Sequence, residues 1–154
     1  ALGDFSIAYP DGGDAGYRRF VKDGIAPLFA FGHGLSYTSF RYGDFTLRGG
    51  ETLTASFSVT NGGSRNGTDT PQIYLTRRLG APEMRLLGWT KVVLRPGERK
   101  TVSVTADPRL LGDFDAVANA WIVREGIYEA SLGSASDRLS DRATAQIGAQ
   151  TVRP

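Results

Sequence analysis

From Phe40 onward, apolar and polar residues alternate with a period of two, the mark of strands with one buried face. Residues 52–60 are the cleanest case. Leu53, Ala55, Phe57 and Val59 fall on one side, and Thr52, Thr54, Ser56, Ser58 and Thr60 on the other. Burial of such a face contributes about 1.5–3 kcal/mol per large side chain. Upstream, Phe40 and Tyr42 alternate, and Phe45 and Leu47 resume the pattern after a phase break at Gly43. Downstream, residues 71–76 carry apolar bulk on both faces, as a central strand does. Residues 86–94 read as one strand whose conflicting parity a bulge near Gly88 reconciles. Residues 101–105 place Val102 and Val104 inward and stop at Asp107-Pro108. Leu110, Leu111 and Phe114 suggest a short turn packed on the core. Residues 121–123 and 128–132 make a hairpin around Glu125-Gly126, residues 139–147 a weak last strand, and residues 150–154 a tail.

Turn signals separate these runs: Gly49-Gly50, Asn61-Gly62-Gly63, Asn66-Gly67, a loop over 77–82, and Arg95-Pro96-Gly97-Glu98. The 20 glycines and 7 prolines supply that punctuation. About seven to eight short strands at this spacing are the condition for an immunoglobulin-like antiparallel β-sandwich. Residues 1–34 behave differently. Phe5, Ile7 and Tyr9 alternate, Pro10 to Asp14 break the chain, and no period follows. A stretch of this length without its own structure is unusual inside a compact domain. It reads as an extended connector leaning on the sandwich or on a neighbour. The division expected is connector 1–34, sandwich 35–148 and tail 149–154.

Four blocks in order carry a resemblance. They are Pro27-Leu-Phe-Ala-Phe-Gly-His-Gly-Leu-Ser-Tyr-Thr-Ser-Phe40; Val59-Thr-Asn-Gly-Gly63 with Thr70-Pro-Gln-Ile-Tyr-Leu75; Pro82-Glu-Met-Arg-Leu-Leu-Gly-Trp89 with Lys91-Val-Val-Leu-Arg-Pro-Gly-Glu98; and Trp121 with Glu125-Gly-Ile-Tyr128 and Leu132-Gly-Ser134. This series resembles the fibronectin type III-like domain at the C-terminus of family 3 glycoside hydrolases, the β-glucosidase and β-xylosidase group. Gly16-Tyr17-Arg18 resembles the piece that leaves the preceding domain, although Asp11-Gly-Gly-Asp14 stands where a Glu-Gly pair is usual. In such enzymes a nucleophilic Asp and an acid/base Glu perform a retaining hydrolysis. The resemblance places both in domains outside this stretch. Neither motif is in this sequence, so no catalytic residue is carried over. The role implied is an accessory domain whose partners are the catalytic domains of the same glycosidase, with an oligosaccharide at a shared cleft. It calls for no cofactor, and it suggests a periplasmic or secreted setting.

Composition narrows the rest. Cysteine is absent, which removes disulfides and thiol chemistry. No run of 18 apolar residues offers a membrane-spanning helix. The chain opens without Met or a leader pattern, which reads as a cut or processed piece. Net charge is +2, with basic residues scattered among acids, so no nucleic-acid stripe is expected. His33, the sole histidine, reads as a loop residue held by two glycines, with contact to a neighbouring domain or sugar as the alternative. Metal binding would need several convergent ligands, and none is expected. Asp107, Asp113 and Asp115 read as loop acids. Trp89, Trp121, Tyr74 and Tyr128 sit in strand patterns, where core or interdomain packing competes with sugar stacking. Asn66-Gly67-Thr68 fits a glycosylation sequon. Tyr17, Arg18 and Phe20, with His33, are the candidate interdomain or cleft-edge contacts. The alternative function is a stand-alone carbohydrate-binding or protein-interaction sandwich.

Overall fold

A computed structural model describes residues 13–154. The alternation of Phe5, Ile7 and Tyr9 lies outside the described residues. The order of elements is α1 (Tyr17–Lys22), β1 (Phe40–Arg48), β2 (Thr54–Asn61), β3 (Gly67–Asp69), β4 (Gln72–Arg78), β5 (Ala81–Trp89), β6 (Val92–Leu94) and β7 (Arg99–Thr105). A 3₁₀ turn (Pro108–Leu111) follows, then β8 (Asp113–Asp115), β9 (Ala120–Val123), β10 (Gly126–Ala135), β11 (Arg138–Ile147) and β12 (Gln150–Val152). Two antiparallel sheets, β1-β2-β7 and β11-β10-β4-β5, form the sandwich. Two smaller sheets, β3-β6 and β12-β9-β8, flank them. The all-β immunoglobulin-like expectation holds.

The core follows the alternation read from the sequence. Leu53, Ala55, Phe57 and Val59 are buried against Ile73, Leu75, Leu87, Tyr128, Ala130 and Leu132. On the other side of β2, hydroxyls pair across to β7, Ser56 with Ser103 at 2.7 Å and Thr54 with Thr105 at 3.1 Å. The phase break at Gly43 is a β-bulge: the β1–β2 register shifts between Gly43 and Thr46, and Asp44 takes a positive φ of 55°. Tyr128 donates its hydroxyl to the Arg124 carbonyl at 2.8 Å. This back-bond near the start of a central strand is the tyrosine corner of immunoglobulin-like sandwiches.

Some expectations change. Residues 86–94 are two strands in different sheets. β5 pairs with β4, and its extra residue is Leu87, because Ile73 faces Gly88 while Tyr74 faces Leu86. β6 leaves to pair with β3. The expected loop over 77–82 is a tight hairpin whose central residues Leu79 and Gly80 both have positive φ, 52° and 83°. That geometry matches the right-handed twist of the flanking strands. Residues 150–154 are not simply a tail, since Gln150–Val152 pairs with β9. Three residues are too few to show a period, so only the pairing reveals this strand.

The Asn61 turn owes its glycines to space rather than to φ, for neither Gly62 nor Gly63 has a positive φ. A Cβ on Gly63 would overlap Thr38 Oγ1. Asn61 itself is fully buried and satisfied. Its Nδ2 donates to the carbonyls of Arg65 (2.7 Å) and Leu94 (3.2 Å). Its Oδ1 accepts from Thr38 Oγ1 (2.6 Å) and the Gly63 N–H (3.0 Å). One side chain thus ties the segment leading into β1, the turn and β6 together.

Candidate docking strap and charged groove

The connector contains a helix that its sequence does not announce. α1 is six residues long, too short to display a period, and Gly16 at its N-cap provides no side-chain cap. Lys22 reaches Asp14 at 2.6 Å, and Arg19 pairs with Asp23. The main anchor is Tyr17. Its ring stacks on Phe31 (centroids 5.0 Å apart) and meets Tyr74 edge-on at 6.0 Å. Its hydroxyl oxygen accepts from the Leu86 N–H at 2.8 Å. Tyr74 and Gln72 lie on the outer face of β4, and these contacts bury them. The Tyr74 hydroxyl donates to Gln72 Oε1, and burial pushes its pKa up.

Residues 25–37 run on as a strap over the same face. Ala30 is buried, and the Ser136 N–H donates to the Phe31 carbonyl at 2.9 Å. Gly32 crosses directly over the Gln72 amide, where any Cβ would collide. The rest of the strap points apolar groups outward: Leu28 is 90% exposed, Phe29 70%, Leu35 96% and Tyr37 94%. Upstream, Ile25 and Val21 are exposed as well. His33 sits within it, half-buried, its ring 5.3 Å from Phe29 and its N–H donating to the Ala30 carbonyl at 2.9 Å.

The four candidate residues therefore part ways. Tyr17 and Arg18 engage the chain's own sandwich, while Phe20 is exposed at its helix and His33 lies among outward aromatics. Arg18 leads to a second feature, an open groove of about 1170 Å³ between α1, β5 and the β8–β9 hairpin. Glu83 lies at its base, 3.3 Å from Arg18, 3.6 Å from Arg78 and 3.9 Å from Arg85. Arg78 also reaches Asp113 at 2.9 Å. Burial opposes the charge on Arg78, and the Asp113 and Glu83 carboxylates outweigh it, so its pKa stands above the ordinary value. Arg85 donates to the Leu110 and Gly112 carbonyls, each at 2.9 Å. Phe114 and Trp121 wall the groove edge to face at 4.9 Å, with the Arg109 guanidinium 5.5 Å from the Trp121 ring. The sequence reading passed over this network. Its signal was parity, because Glu83 and Arg85 are two apart on β5 and share the face opposite buried Met84.

The remaining acids have structural partners. Asp107 accepts from the Arg109 N–H and pairs with its guanidinium, and that hydrogen bond holds its pKa below the ordinary value. Asp115 accepts from the N–H groups of Val117 and Ala118. Among the described residues no group of His, Asp or Glu is arranged to hold a metal ion.

The two-sheet sandwich with its tyrosine corner defines a fibronectin type III-like domain, and a family model of that description matches residues 69–136. A probable β-glucosidase K from Emericella nidulans is 36% identical over 138 residues, covering 86% of this chain and 16% of the relative. A thermostable β-glucosidase B from Acetivibrio thermocellus is 36% identical over 141 residues, covering 86% and 19%. The solved β-glucosidase 3B of Thermotoga neapolitana superposes with a TM-score of 0.85 at 32% identity, covering 95% of this chain and 21% of that one. The chain therefore belongs with the fibronectin type III-like domains of family 3 β-glucosidases. It spans only about a fifth of the length of these relatives.

Proposed function

We propose that this chain is a non-catalytic accessory domain of a family 3 β-glucosidase, one that stabilises the catalytic domains and edges their substrate cleft. The observation that carries the reading is the strap. Leu28, Phe29, Leu35 and Tyr37 form an outward apolar run on a domain whose own core is already complete. Large apolar side chains concentrated in one short exposed segment mark an interaction site. The relatives extend far beyond the matched segment, which supplies a body for the strap to cover. His33, in the middle of the strap, is then carried to the contact.

The test uses the parent enzyme. Leu28, Leu35 and Tyr37 replaced together by Ser should shorten the half-life of β-glucosidase activity on heating by about tenfold or more. The isolated chain should not hydrolyse aryl β-glucosides. Turnover above a buffer blank, or an unchanged half-life in the triple variant, overturns the reading. Affinity electrophoresis of the isolated chain on β-glucans separates it from a polysaccharide-binding module, which would be retarded.

A further inference from the structure

The groove beside α1 is a separate feature from the strap, and its charge is unbalanced at depth. Glu83 faces three guanidiniums there, while the Asp14 and Asp113 carboxylates that share the load are more exposed, at the rim. The Nε groups of Arg18 and Arg85 are both buried without a hydrogen-bond acceptor. Buried donors left unpaired are rare and ask for an explanation. Arg85 is held below its ordinary pKa, first by burial and then by repulsion from Arg18 and Arg78, with Glu83 and Asp113 acting the other way. Arg85 Nη2 meets the Glu83 and Asp113 carboxylates only at 3.9 and 4.0 Å, beyond hydrogen-bond reach, so this groove offers guanidinium donors that a carboxylate completes.

The wall narrows what carries that carboxylate. Phe114 is half exposed and meets Trp121 edge to face at an interplanar angle of 62°, giving an angled apolar wall beside the cations. Such a surface suits the apolar face of a ring. At about 1170 Å³ the space exceeds what a simple anion needs and lies just above the usual range of small-molecule sites. We propose that the groove binds a carboxylated sugar, with its carboxylate on Arg18 and Arg85 and its ring against Phe114 and Trp121. The proposal rests on the groove alone and holds whether or not the strap docks on a catalytic body.

The experiment is a titration of the ¹⁵N-labelled chain with glucuronate, glucose and acetate at constant ionic strength. The readouts are the Leu86 and Gly112 amides and the Trp121 indole. Glucuronate should shift these signals saturably, glucose should not, and acetate should bind about tenfold more weakly or worse. Arg18→Met should abolish the response. Phe114→Ala should reduce glucuronate to the level of acetate while leaving acetate unchanged. The amides of Phe57 and Leu132 report the fold; should Arg18→Met disturb them, Phe114→Ala alone decides. No saturable shift with glucuronate, an equal response to acetate, or undiminished selectivity in Phe114→Ala overturns the proposal.

Discussion

Asn61 offers the sharpest test of how this fold is held, and Asn61→Asp is the perturbation to make. The native side chain is fully buried and uses both its donors and its acceptor. Aspartate keeps the shape and the accepting oxygen that faces Thr38 and Gly63. It replaces the amide that serves the Arg65 and Leu94 carbonyls with an oxygen, so two acceptors meet a third. Two donated hydrogen bonds are lost, and a buried carbonyl is left unpaired at a cost of about 1–3 kcal/mol. Arg65 is exposed, so its carbonyl recovers water and is discounted. The net loss at neutral pH is about 3 kcal/mol, a fall in thermal midpoint on the order of 10 °C. The new carboxyl has a folded pKa raised above its unfolded value by burial and by the facing carbonyls. The destabilisation is therefore full above the folded pKa and shrinks as pH falls through it, because protonation restores one donor. Urea unfolding between pH 4 and pH 8 reads both effects. A variant within about 0.5 kcal/mol of the native chain at neutral pH, or a loss that ignores pH, refutes the reasoning.

Three further outcomes follow from single sites. Asp69 is half-buried, and burial raises its pKa despite the hydrogen bond it accepts from the Tyr42 hydroxyl at 2.8 Å. Its charge therefore weakens the fold at neutral pH, and Asp69→Asn should raise the urea midpoint there, the gain vanishing as pH falls toward about 4, near the unfolded carboxyl pKa. Leu79 occupies the left-handed region at φ 52°, a place that costs a leucine about 1–2 kcal/mol and an asparagine less. Leu79→Asn should raise the thermal midpoint, by less than that cost implies, since the Leu79 side chain also packs over Gly126. Tyr17→Phe removes the acceptor of the Leu86 N–H. Hydrogen exchange at Leu86 should accelerate on the order of fivefold, for about 1 kcal/mol, with Leu75 and Leu132 unchanged.

The sandwich was legible because its strands are long and one-sided. Phe57 and Val59 on β2, and Tyr128 and Leu132 on β10, announce their faces by parity alone, and all four are buried. Pieces of three residues escaped for the same reason in reverse. β12 shows no period within its length, and β6 continues the apolar run of β5 while turning to another partner. Bulges leave a trace, a phase break, and so Gly43 and the neighbourhood of Gly88 could be read. Beyond the Glu83–Arg85 parity the groove could not be, because its cations come from α1, β4 and β5, and only the fold brings Arg18 to Glu83 across 65 positions.

Tyr17 explains how the described part of the connector is held on its own sandwich. Tyr74 needs its outer face covered, since an aromatic on a central strand would otherwise stand in water. Tyr17 provides that cover, and Phe31 stacks on Tyr17 in turn. The strap is thereby fixed at Phe31, and Thr38, bonded to Asn61, holds its far end beyond Leu35 and Tyr37, while Leu28 and Phe29 face outward. Ordering residues on a partner costs conformational entropy. A strap already held at two points has spent most of that before it meets anything, so its apolar groups act as a formed surface. Because the next residue, Arg18, forms part of the groove, the contact that fixes the strap also sets one wall of the charged site.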